Sequence, residues 1–118
     1  MPEQANGLEG FIAGLRRCGA KPQRRASLVV YEVEPVEGRL AGRVVLTGVE
    51  EQEVAQWPMV PPHWVHLPAD IGFASTNSQP SALTGWVRHS RQIRGWGSEP
   101  EPAQAWLAHI RAVVSEAR

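Results

Sequence analysis

The chain has 118 residues, 42% of them hydrophobic and 20% charged, with twelve basic residues balanced by twelve acidic ones. That is enough apolar chain for one folded domain over residues 1–118, and too apolar for a disordered segment. Neutrality excludes a global field that would draw the protein onto nucleic acid or a membrane, and a single cysteine, Cys18, excludes an internal disulfide and a multi-thiolate zinc site.

The first element is a helix. Leu8, Phe11, Ile12 and Leu15 fall on one face of a 3.6-residue period, Arg16 and Arg17 suit its C-terminal end, and Gly19 is a natural stop. Gly10 and Gly14 weaken this helix without overturning it. Leu28 to Val33 then alternates β-branched and aromatic residues, the mark of a strand. Glu37-Gly38 is a turn signal, and Leu40 to Val49 reads as a second, antiparallel strand with Gly42 and Gly48 as bend positions. A third strand is expected within Glu53–Val60, ended by Pro58.

From Pro61 to Gly97 the polarity pattern dissolves. This stretch holds Trp64, Trp86 and Trp96 and three of the four histidines, and it reads as a long structured loop held down by its own aromatics. Periodicity returns at Ser98, an N-cap with Glu101 three residues on. Trp106, Leu107, Ile110, Val113, Val114 and Ala117 mark the buried face of a C-terminal amphipathic helix. The expected fold is therefore α+β: a helix, a small antiparallel meander, a Trp/His-rich loop, and a second helix on the same face of the sheet.

The loop also contains the residues with chemistry. His63 and His66 would need a third ligand in His89 or Asp70 to hold a metal. The prolines around them argue against the helix that would aim two imidazoles at one ion, so neither a metal site nor a cofactor is expected. Ser75, Thr76, Asn77 and Ser78 combine hydroxyls with an amide, the parts of a nucleophile and an oxyanion partner, although the same residues are common turn formers and no Gly-x-Ser-x-Gly elbow is present. Arg88, Arg91 and Arg94, flanked by Trp86 and Trp96, form a basic and aromatic run. In a neutral chain this run fits a protein-binding surface better than a nucleic-acid one.

The order of elements, the proline-rich turn Pro58-Met59-Val60-Pro61-Pro62 and the following His66-Leu67-Pro68 resemble the ubiquitin-conjugating enzyme fold and its RWD relatives, in particular the divergent bacterial members. In that family a Tyr-Pro-x-x-Pro-Pro turn and a His-Pro-Asn motif precede an active cysteine. The resemblance matches Pro61 and Pro62 to the proline pair and His66 to the motif histidine. It departs at Leu67-Pro68, where the asparagine is missing, and at Cys18, which lies on the wrong side of the sequence.

The resemblance thus implies a conjugating-type protein with a ubiquitin-like modifier and its activating enzyme as partners, carrying the modifier as an oxyester. Ser78, Ser75 or Thr76 would be the acceptor, Asn77 the oxyanion partner, and His89 or His66 the base. The alternative is a non-catalytic adaptor that binds a protein through Trp86, Arg88, Arg91, Arg94 and Trp96. A cytoplasmic location follows from the cysteine usage and from the absence of a signal-peptide pattern or long apolar run.

Overall fold

The apolar stripe at Leu8 to Leu15 folds as α1, Gly7–Arg17, in a computed structural model that describes residues 6–74, 77–97 and 99–118. Cys18 follows as its C-cap, and Gly19 takes a left-handed φ of 87°, the conformation that ends a helix at low cost in glycine. The chain continues through β1 (Gln23–Arg25), β2 (Leu28–Val33) and β3 (Val45–Glu50) into a 3₁₀ turn at Glu51–Val54. It then runs through β4 (Trp64–Pro68), β5 (Ser78–Pro80) and β6 (Trp86–Ser90) to α2, Pro102–Ser115. The six strands form one antiparallel sheet in the order β1-β2-β3-β4-β6-β5.

Both helices cover one face of the sheet, which makes the fold α+β as its patterning implies. Phe11 and Leu15 from α1 and Trp106, Leu107, Ile110, Val113 and Val114 from α2 share one core with Val29, Tyr31, Val33, Val45, Val49, Val65 and Leu67 of the strands. Trp106 is fully buried, and its indole Nε1–H donates to the Tyr31 hydroxyl at 2.7 Å, so neither polar tip is stranded among apolar neighbours. The interior glycine of α1 has a packing reason: a Cβ at Gly14 would come within 2.8 Å of the Ala103 Cβ on α2, so the glycine lets the two helices approach closely. Arg17 and Glu101, the N-cap of α2, form a two-bond ion pair at 2.7 and 3.2 Å across the same junction. Exposed as it is, this pair orients the helix ends more than it stabilises them.

Three expectations need correction. The strand expected from Leu40 begins only at Val45, because Glu37 to Val44 is spent on turns. Glu53–Val60 is not a strand. Val54 and Trp57, three residues apart, point into the core from a 3₁₀ turn and the turns after it, and Trp57 meets Phe11 edge-to-face at 4.9 Å. The segment 61–97 is not a loop overall, since it supplies β4, β5 and β6. One of its tryptophans does pin the chain: Trp96 packs at a tilt on Trp57, 5.3 Å between centroids, and donates its indole N–H to the Pro58 carbonyl at 2.7 Å. The helix cap expected at Ser98 lies outside the described residues, and the N-cap is Glu101.

Gly38 takes a φ of 81°, and a Cβ there would fall 2.1 Å from the Ser115 carbonyl oxygen at the end of α2. Gly42, with a φ of 77°, has nothing within 4 Å of its Cβ position. Gly42→Ala therefore measures the backbone cost alone, about 1 kcal/mol. Gly38→Ala adds displacement of the helix end and is expected to cost at least about 2 kcal/mol more. Urea unfolding of the two variants against the parent checks the difference.

Candidate functional site

The ladder between β4 and β6 decides what is presented on each side of the sheet. Trp64 lies opposite Ser90, His66 opposite Arg88 and Pro68 opposite Trp86, while Val65 and His89 alternate with them and face the helices. Directly opposed residues share a face, so Trp64, His66, Arg88 and Ser90 occupy the side without helices. β5 adds Gln79 to the same row, because it pairs with Arg88.

This open face is organised around Trp64. The Arg88 guanidinium lies over its ring, 4.4 Å from the centroid, and donates through Nη2 to Gln79 Oε1. The Glu53 carboxylate accepts the backbone N–H of both His63 and Trp64, at 2.9 and 3.2 Å, fixing the entry to β4. The His63 ring stands edge-on to Trp64 and reaches Ser90: Nε2 and Oγ are 2.5 Å apart. Ser90 is held in turn by its backbone N–H, which donates to the Asn77 carbonyl at 2.8 Å. Beside this pair runs an open cleft of about 650 Å³, lined by Glu50, Glu53, Gln56, His63, Trp64 and Arg88 among others.

The predicted bases fare differently. His66 is fully buried, with Nδ1 2.7 Å from Ser81 Oγ, and among the described residues its side-chain partner is Ser81 rather than Ser78. Burial, reinforced by Arg88 and then by His89, pushes its pKa down to about 4, so it stays neutral near pH 7 and is a weak base. Its place in the fold, sealed from solvent and bonded to Ser81, suits a structural role. His89 is 4% exposed on the helix-covered face, where it packs edge-on against Phe73 at 4.8 Å. Burial and then the charge of Arg91 lower its pKa.

Of the predicted hydroxyls, Ser78 is exposed on β5 directly opposite His89 in the ladder, and Asn77 precedes it. Ser75 and Thr76 lie outside the described residues. The ladder thus brings Ser78, Asn77 and His89 into one neighbourhood, with Arg91 over the same Phe73 ring at 4.9 Å.

The five residues expected to form a binding surface are spread over different parts of the fold. Trp96 is packed on Trp57, Arg88 faces the open side with Trp64, and Arg91 turns to Phe73 and to Glu116 at 4.0 Å. Trp86 is half-buried opposite Pro68, and Arg94 is exposed beside α2. Strand alternation, not spacing of three, governs Arg88 to Ser90.

The pairing that sequence reading missed is Ser90 with His63. Both residues are visible in "PPHWVH" and "WVRHSR", but nothing local marks positions 27 apart as neighbours, and only the β4–β6 register brings them together. Among the described residues no group of three His, Cys, Asp or Glu side chains is arranged to hold a metal. No helix among them is long and apolar enough to cross a membrane. No family model matches the chain, and no curated protein or solved structure matches it either.

The lowered histidines have a measurable consequence. His66 is neutral in the fold down to about pH 4, whereas in the unfolded chain it takes up a proton near 6.5. The unfolded state therefore binds more protons between these values, and stability falls as the pH drops through that window, by about 2–3 kcal/mol from His66 alone. His89 and His109 are shifted in the same direction by burial and add to the slope. Urea unfolding at pH 7 and pH 4.5 should show the loss, and His66→Gln should flatten the dependence.

Proposed function

We propose that this protein works in a ubiquitin-like modification pathway as a relative of the ubiquitin-conjugating enzymes, accepting the modifier's C-terminal carbonyl on a hydroxyl rather than on a cysteine. The observation that carries the reading is the open cleft lined by the His63 imidazole and Arg88, with Ser90 in hydrogen-bond contact with the His63 ring, on the sheet face without helices and after the Pro58–Pro62 turn. The element order of helix, meander, proline turn and closing helix supports it. Cys18 supports it by elimination: the only cysteine is half-buried at the end of α1, and burial raises its thiol pKa, which disfavours the thiolate.

A second reading is a non-catalytic adaptor. It draws on Met59 and Val60, which are 85% and 48% exposed at the corner beside the cleft, although scattered exposed apolar residues are also ordinary.

One experiment separates the two. The protein is mixed with an activating enzyme, ATP and a ubiquitin-like modifier, and the products are read by intact mass. The conjugating reading expects an adduct of the modifier's mass less one water that survives thiols and is cleaved by hydroxide. A stable complex without covalent mass decides for the adaptor, and neither complex nor adduct removes both readings.

A further inference from the structure

We propose that Ser90 is the nucleophile of an acyl-transfer site and His63 its general base, with the cleft receiving a thioester-activated acyl chain. The assignment rests on the reading above for the identity of the acyl chain, but its geometry is independent of it.

Three observations meet at this point. First, Ser90 Oγ and His63 Nε2 are in hydrogen-bond contact, which is the arrangement a hydroxyl requires, since it is too weak an acid to ionise unaided near neutral pH. With the ring proton on Nδ1, the hydroxyl donates to Nε2 and the imidazole is ready to take the proton. Second, both residues are held from behind. Ser90 is fixed by the ladder to Trp64 and by its N–H bond to Asn77, and His63 is fixed by Glu53 on its backbone N–H and by the Arg91 N–H on its carbonyl at 3.0 Å.

Third, His63 lines the open cleft together with Arg88. Arg88 lies two residues from Ser90 on the same strand face, about 7 Å along the strand. Flattened against Trp64, its guanidinium supplies fixed positive charge on the side where an oxyanion would develop. Two other described serines differ: Ser81 also contacts an imidazole, but that of fully buried His66, and exposed Ser78 lies opposite His89, whose ring is buried against Phe73.

The step balances as follows. The Ser90 oxygen forms a bond to the thioester carbonyl carbon as its proton passes to His63 Nε2. The tetrahedral intermediate then expels the thiolate of the donor, which takes the proton back from His63. The products are a Ser90 oxyester, a free thiol and a neutral imidazole, and no oxidant or further reactant is consumed.

The test uses the full chain and an alkyl fluorophosphonate, which reports a base-activated serine whatever the natural acyl donor is. The Ser90 oxygen displaces fluoride from phosphorus, and intact mass with peptide mapping locates the adduct. The expected result is one equivalent on Ser90, absent in Ser90→Ala and slowed at least about tenfold in His63→Gln, whose exposed position leaves the fold intact. Labelling no faster than that of the urea-unfolded chain, labelling that maps to Ser78 or Ser81, or an unchanged rate in His63→Gln overturns the assignment. If Ser90 is labelled but no modifier adduct forms, the acyl site stands and the conjugating reading falls. If a modifier adduct maps to Ser78 while the fluorophosphonate is inert, the conjugating reading stands and the Ser90 assignment falls.

Discussion

A strand has two faces, and the ladder between β4 and β6 determines which residues of the most chemically loaded segment point away from the helices. Val65, Leu67 and His89 go under the helices, and Trp64, His66, Arg88 and Ser90 go to the bare side. Slipping β6 by one residue against β4 would turn Arg88 and Ser90 under the helices and put Val87 and His89 on the other side, at the cost of burying a charge. The core therefore positions the site without touching it. Trp106 and Tyr31 anchor α2 on the sheet, α2 and α1 bury the inner residues of the strands, and the outer residues follow from the alternation.

The same alternation sorts three histidines of one segment into three environments. His66 sits on the bare side but is sealed beneath Ser81, His89 lies against Phe73 under the helices, and His63, just before β4 begins, stays open to solvent. Burial keeps the first two neutral, so they add bulk and shape at the cost of acid stability. Only the third is both accessible and in contact with a hydroxyl.

The elements that sequence made legible are those with their own periodicity. α1 and α2 each bury a helical stripe close to the expected one, and β2 forms where its residues place it, although Leu28 and Val30 are buried as well as Val29, Tyr31 and Val33. β4 and β6 were hidden because prolines bound the first and Arg88, His89 and Ser90 make the second largely polar, so neither shows clean alternation. β5 has three exposed residues, Ser78, Gln79 and Pro80, with no apolar alternation of its own, and it pairs with β6. Val54 and Trp57 misled for the opposite reason: bulky apolar residues beside Pro58 look like a strand, yet they reach the core from consecutive turns. Of the candidate site, the segment and its residue types were readable. The pairing of Ser90 with His63 was not, since it depends on strand register over long sequence separation.

One remaining feature concerns the sheet's two margins. A sheet with an uncovered face and open edges invites copies of itself to add on strand by strand. Here both outermost strands are only three residues long and fully exposed. β1 carries Arg24 and Arg25, and β5 ends on Pro80, which has no N–H to offer. A neighbouring chain therefore finds a short margin carrying Arg25 and the Arg24–Glu51 pair on one side and an interrupted donor row on the other, which lets the protein leave one sheet face free of helices without becoming a template for fibres.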